Sequence, residues 1–239
     1  MARGLAATGS KRRKFEEIAD HIELAIVSGH LKVGDRLPSE RELMERFGTG
    51  RGSVREALFV LQRKGLIHTS SGAVPRVGEP KADMMVRELS GIARLLLNRP
   101  EGARELQEAR ALFEIGLARQ AAKMASAERL EAIRAALAAN EDAPDAPTFV
   151  ATDIAFHSAI AEACENSTYL AVNTAFGEWL HGQRTVSAAA GSTRENVIVQ
   201  HRAIFEAIAR RDHVAAEAAM DDHLATVAHF YWKGRAGSA

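Results

Sequence analysis

The chain holds a single cysteine, Cys164, in 239 residues. One thiol cannot close an internal disulfide, so no disulfide framework holds this fold, and a lone thiol suits a reducing cytosol. Aromatic residues make up only 5%, while alanine is abundant, and that balance favours helix. No uninterrupted apolar run approaches membrane-spanning length, and the N-terminus carries no apolar signal core. A cytoplasmic protein without a membrane span is expected. Net charge is also missing: 31 Lys+Arg stand against 31 Asp+Glu. That balance hides an asymmetry. Residues 1–81 carry 15 basic against 10 acidic side chains, a net of +5, and residues 82–239 carry 16 against 21, a net of −5. A polyanion would therefore meet the first third of the chain. What remains is the composition of an ordinary folded protein, 46% hydrophobic and 26% charged, long enough for one large or two small domains.

After a small-residue N-terminus and the basic run Lys11-Arg12-Arg13-Lys14, helical spacing begins with Phe15, Ile18, Ala19, Ile22 and Ile26 and stops at Ser28-Gly29. Pro38 and Ser39 start a second helix, with Ser39 as N-cap and Glu42 as its capping-box partner. Gly48-Thr49-Gly50 is a short turn, and residues 51–64 resume the period through Val54, Ala57, Leu58 and Leu61 before Gly65 ends it. "LIHTSSGAVPRV" alternates on either side of Ser71-Gly72, as a small hairpin does, with Pro75 expected on an exposed edge. Helix, helix, turn, helix, hairpin is the winged helix-turn-helix order. From about residue 84 onward every legible segment is helical. Breaks fall at Asn98-Arg99-Pro100, Asn140–Pro147, Asn166-Ser167, Gly191-Ser192 and Arg211-Asp212. The fold class expected is mainly α: a winged helix-turn-helix over 11–80 and an all-α bundle of six or seven helices over 81–235.

The turn before the third helix sets that helix to enter a major groove with its N-terminal residues first: Arg51, Gly52, Ser53 and Arg55. An arginine fork matches two acceptors on a guanine edge. Ser53 can reach a base or a phosphate, Arg41 on the second helix is placed for backbone, and Gly72 at the wing tip allows a close sugar–phosphate approach. The residues "LPSERELMERFG…R.SVREALFVLQRKGLI" resemble the signature of the GntR superfamily of bacterial transcription regulators. The resemblance implies binding to a double-stranded DNA operator as a homodimer. One departure is visible: many members carry Val-Ser where this chain has Thr49-Gly50, which gives up the N-cap side chain of the recognition helix.

In "TDIAFHSAI" the apolar stripe runs through Phe149, Phe156, Ile160 and Cys164, and Asp153 and His157 fall inside it. Two further histidines repeat the anomaly. His201 lies on the stripe of Ile198, Ile204, Phe205 and Ile208, and His223 lies between Met220 and Val227. Arg110 falls between Leu106 and Phe113 on the same kind of face. Burying any of these is costly unless it is paired or metal-bound. One carboxylate with three imidazoles is a suitable set for a divalent transition metal, Zn²⁺ first, with Ni²⁺ or Mn²⁺ as alternatives. Such a set leaves coordination open for the carboxylate of an organic acid, which Arg110 could bind as well.

These residues are similar to the metal motif of the FadR-type (FCD) subfamily of the same regulators, with Asp153, His157, His201 and His223 on its ligand positions. "EARALFEIGLARQAA" is similar to the opening helix of that ligand domain, with Arg110 and Glu114 at its characteristic positions and Glu114 expected to hold a structural pair. The resemblance implies a repressor whose DNA binding responds to a small carboxylic acid. A narrower likeness, in "ADMMVRELSGIARLLL" and "FGEWLHGQRTV", is to regulators of bacterial sialic-acid catabolism. It implies N-acetylneuraminate or a related sugar acid as effector, with Arg184 beside Arg110 and with Trp179 and His181 as possible lining. Another sugar acid or hydroxyacid remains open. So does a metalloenzyme tethered to DNA, although the sequence offers no general base beyond the ligands and no Ser/His/Asp or Cys/His nucleophile arrangement. A third possibility is a metal-free anion pocket around Arg110.

Overall fold

The computed structural model describes residues 13–69, 74–79, 81–99, 101–183, 186 and 194–236. Contacts divide the chain into two compact units, Met1–Met84 and Met85–Ala239. Gly72, Arg184 and the Gly191-Ser192 break lie outside the described residues.

The first unit contains α1 (Lys14–Val27), α2 (Glu40–Phe47), α3 (Arg51–Arg63) and two short strands, β1 (Ile67–His68) and β2 (Arg76–Val77). The capping box forms as the spacing requires. Glu42 N–H donates to Ser39 Oγ at 3.3 Å, and Ser39 N–H donates to Glu42 Oε2 at 2.7 Å. The Ser39 hydroxyl and the Ser39 N–H, each donating to Glu42 Oε2 at 2.7 Å, hold the Glu42 carboxyl below its usual range. Gly48 closes α2 with φ +56°, a left-handed conformation that glycine adopts without a steric penalty. α3 starts at Arg51 behind Gly50, which supplies no side-chain cap. One core joins the helices to the strands through Ile18, Ile22, Leu43, Val54, Leu61, Ile67 and Val77.

Pro75 corrects the hairpin expectation: it is buried, and it precedes β2 rather than lying on an exposed edge. β2 pairs antiparallel with β1 in the register Ile67↔Val77, and its other side is covered by residues 34–37. Gly34 N–H donates to Val77 O, Val77 N–H to Asp35 O, and Leu37 N–H to Pro75 O at 2.8 Å. Pro75 has no N–H to leave unpaired, and its carbonyl is taken.

Among the described residues the all-α part has seven helices: α4 (Ala82–Leu97), α5 (Gly102–Met124), α6 (Ala127–Glu141), α7 (Ala146–Glu162), α8 (Ser167–Trp179), α9 (Arg194–Ala209) and α10 (His213–Ala236). Ser126, Asp145 and Asn166 cap α6, α7 and α8 by accepting from backbone N–H groups of the first turn. Gly102 is required at the start of α5, because a Cβ there would sit 1.7 Å from the Leu96 carbonyl oxygen. The core is built from large residues between alanines: Leu117, Ala118, Ala121, Ile133, Phe156, Ile160, Ile204, Ile208 and Met220. The alanines let helices approach closely, and the larger side chains fill the space left. No helix among the described residues is long and apolar enough to cross a membrane.

Candidate functional site

Asp153, His157, His201 and His223 are all buried, and each offers a ligand atom lying within 4.8 Å of the others'. The imidazole centroids are 5.3 Å apart for His157–His201, 5.2 Å for His157–His223 and 4.7 Å for His201–His223. α7 presents Asp153 and His157 one turn apart, α9 presents His201, and α10 presents His223. Arg110 on α5 is buried as well. The five residues singled out by periodicity therefore do face the interior of one bundle.

Each imidazole meets an oxygen at Nδ1. His157 Nδ1 contacts Glu114 Oε2, His201 Nδ1 lies 3.0 Å from Asn140 Oδ1, and His223 Nδ1 lies 3.2 Å from Gln200 Oε1. The two amides are themselves oriented. Asn140 Nδ2 donates to Phe149 O and Thr152 Oγ1, and Gln200 Nε2 donates to Asp222 Oδ2 and Thr226 Oγ1. For His201 and His223, an Nδ1–H directed at an amide oxygen leaves the lone pair of the neutral ring on Nε2. His201 Nε2 faces Asp153 Oδ1 at 3.6 Å. His157 Nε2 is buried with no hydrogen-bond partner among the described residues. A buried lone pair without a donor is the signature expected of a metal ligand, and oriented imidazoles behind it are the usual support for one. The His223 imidazolium is strongly disfavoured, first by burial and then by His201 and His157, so His223 stays neutral and able to ligate. The residues present thus fit a divalent transition metal.

Glu114 does more than form a structural pair. Arg110 Nε donates to Glu114 Oε1 at 2.6 Å while the other carboxylate oxygen faces His157. Burial alone would raise the Glu114 carboxyl; Arg110 and His157 outweigh it and hold the group ionised, well below its usual range. Burial likewise works against the Arg110 charge, and Glu114 and Asp153 outweigh it.

Arg110 also borders a cavity of about 290 Å³. Its polar wall includes Arg104, Gln107, Gln183 and Asp221, and its apolar wall includes Leu224 and Trp232. Trp232 Nε1 donates to Gln107 Oε1 at 2.8 Å, Gln107 Nε2 donates to Gln183 Oε1 at 2.6 Å, and the Arg104 guanidinium lies 4.9 Å from the Trp232 ring centroid. Trp179 and His181 are not in this wall. Trp179 instead packs on the Leu106–Phe176–Leu180 cluster, and its Nε1 donates to Ser90 Oγ at 3.2 Å.

In the first unit, Arg51 and Arg55 are exposed on α3, Arg41 is exposed on α2 with Glu45 3.9 Å away, and Ser53 is half-buried. Sequence reasoning missed Asn140, Gln200, Gln107, Gln183 and Trp232. Asn140 was expected in a helix break; it is the buried penultimate residue of α6. Gln200 directly precedes His201, a proximity that could have flagged it.

Residues 14–76 match the model of bacterial regulatory proteins of the gntR family, and residues 105–226 match that of the FCD domain. The HTH-type transcriptional repressor NanR of Cronobacter sakazakii is 38% identical over 231 residues, spanning 95% of this chain and 89% of that protein. NanR of Escherichia coli K12 is 38% identical over 95% of this chain and 88% of its own length. Among solved structures, a GntR protein of Streptococcus agalactiae superposes with a TM-score of 0.62 at 24% identity, covering 90% of this chain and 99% of that one. McbR/YncC of E. coli gives 0.51 at 14% identity, covering 92% and 98%. These two structures share the fold.

Proposed function

Because this chain belongs to the GntR family of bacterial transcription regulators and carries their FCD domain, we propose that it is a metal-dependent repressor that releases or tightens on DNA in response to a small sugar acid. Its relatives are regulators and not enzymes, which removes the metalloenzyme alternative. In this reading residues 11–80 bind the operator through Arg41, Arg51, Ser53, Arg55 and Gly72. Residues 81–235 bind the effector and pair two copies into a homodimer, as palindromic half-sites require. The protein works in the cytoplasm, where the operator is.

Asp153, His157, His201 and His223 would hold the metal, with Zn²⁺ favoured and Ni²⁺ or Mn²⁺ as alternatives. A bound metal would supply a Lewis-acidic position for one carboxylate oxygen of the acid. The chain's own residues supply the rest. Arg110, with Arg184, pairs with the acid's negative charge, and the polar cavity wall of Gln107, Gln183 and Asp221 suits hydroxyl and amide groups. At about 290 Å³ the cavity stands at the small end of ligand sites, roughly 300–1,000 Å³. N-acetylneuraminate or a related sugar acid is the effector most consistent with the likeness to NanR.

The observation that carries the reading is the convergence of three imidazoles, each with Nδ1 on an oxygen, upon one buried carboxylate. Elemental analysis of tag-free protein and gel shifts on the DNA upstream of its own operon, with and without N-acetylneuraminate, test it. Stoichiometric metal and an acid-dependent band are expected. If His201→Ala combined with His223→Ala leaves metal content and effector response unchanged, the site is wrong.

A further inference from the structure

The first turn of α3 contains no acidic residue, and its N-cap Gly50 contributes no side-chain hydrogen bond. A helix N-terminus carries partial positive charge, so arginines near it are electrostatically disfavoured. Here Arg51 is the first residue of the helix and Arg55 follows one turn later. The compensating charge comes from α2. Glu40 Oε2 lies 3.1 Å from Arg51 Nε, and Glu40 Oε1 lies 3.4 Å from Arg55 Nε. Ser39 fixes Glu40 at the head of α2. The neighbouring acid Glu42 is engaged on its own helix cap, where its Oε2 accepts from both Ser39 N–H and Ser39 Oγ.

We propose that Glu40 is a specificity-determining residue for DNA: one carboxylate that holds both recognition arginines in register and cancels charge that would otherwise favour any phosphate. Both approaches are made at Nε, and the terminal Nη1/Nη2 pair of a guanidinium presents a fork of its own for the O6 and N7 acceptors of guanine. Phosphates attract charge without regard to sequence, so the net charge of this face sets non-specific affinity. Holding the arginines reduces their freedom to reach phosphates and leaves base-edge contact as their main gain. This rests on the reading of α3 as the recognition helix.

The full-length protein is used to enrich a motif from random-sequence duplex DNA. The wild type, Glu40→Gln and Glu40→Asp are then titrated on the enriched duplex and on a scrambled duplex over a salt series, with thermal melts recorded in parallel. Glu40→Gln is expected to bind the scrambled duplex more tightly and to steepen the log K against log[salt] slope by about one. The ratio of enriched to scrambled affinity falls about tenfold, the scale of one lost bidentate base contact. Glu40→Asp keeps the charge and holds scrambled binding at the wild-type level. An unchanged ratio and slope for Glu40→Gln overturns the proposal. So does an equal loss on both duplexes that tracks a lowered melting temperature, because Glu40 would then be structural only. A wild type that enriches no motif overturns the regulator reading itself, and a Glu40→Gln variant that keeps the wild-type ratio on the enriched and scrambled duplexes overturns the proposal alone.

Discussion

Glu114→Gln is the substitution that the buried site should tolerate least for its size. Glu114 and Arg110 are 2% and 6% exposed, and their 2.6 Å hydrogen bond joins the cavity wall to the carboxylate that contacts His157. Glutamine preserves shape and an acceptor oxygen but removes the larger of the two negative charges that balance Arg110, Asp153 being the other. Breaking a buried pair from one side costs about 3–5 kcal/mol, because the surviving charge is left without compensation. For a unit of this size each kcal/mol moves the midpoint by about 2–4 °C, so the melting temperature should fall by roughly 6–20 °C. Circular dichroism melts in the presence of a chelator measure this without a contribution from metal. The paired substitution Arg110→Met with Glu114→Leu removes both charges, and it should recover most of the loss, since an apolar pair of similar volume is often neutral. A single variant that melts within about 2 °C of the parent would refute the argument that Glu114 balances a buried cation. A double variant worse than the single would refute it equally.

Asn140→Leu removes the oxygen facing His201 while filling the same space, and zinc affinity should drop about 10–100-fold in competition with a chromophoric chelator. An unchanged affinity would mean that Asn140 does not orient His201. Stability of the metal-stripped protein should fall on acidification. Unfolded His223 takes up a proton near its ordinary value of 6.5, whereas the folded ring resists protonation to well below that. The unfolded state therefore binds more protons in that window, and stability rises with pH. Glu114 acts in the same direction lower down: its contribution is present above 4.5 and is lost as pH falls further. Chelator-treated protein whose melting point stays flat from pH 7 to 4 would contradict the sign for His223. Cys164 is buried, and burial raises its thiol to about 11, so it should react with a thiol reagent at neutral pH only after denaturant is added. Prompt stoichiometric labelling of native protein would show otherwise.

The helices were legible because their signals are local. Ser39 and Glu42 announce the start of α2, and the stripe Val54–Ala57–Leu58–Leu61 announces α3 and its buried face. The environment of β2 was not legible, since its second partner, residues 34–37, lies far away in the chain and carries no strand pattern. The ligand residues stood out because a polar side chain inside an apolar stripe breaks a rule that helices otherwise obey. Their supports did not. Asn140 looks like any asparagine near a helix end, and Gln200 like any polar neighbour of a core position. Glu40 was invisible for a similar reason: on its own helix it is an ordinary first-turn acid, and only tertiary structure brings it to Arg51 and Arg55.

The supports also explain why the site occupies a whole bundle rather than one helix pair. The candidate ligands come from α7, α9 and α10, while the oxygens beside the imidazoles come from α5 (Glu114), α6 (Asn140) and α9 (Gln200). Five helices must keep their mutual positions for the three imidazoles and Asp153 to converge. Arg110 adds the cavity to this set, because the carboxylate that orients His157 is the one that holds Arg110. Glu114 meets Arg110 through Nε, so a change at Glu114 is felt by both Arg110 and His157. In the proposed reading, sensing and folding draw on the same contacts. A ligand that prefers one arrangement of this group must shift the packing of several helices together, because none of the five can readjust alone without leaving a buried polar group unpaired.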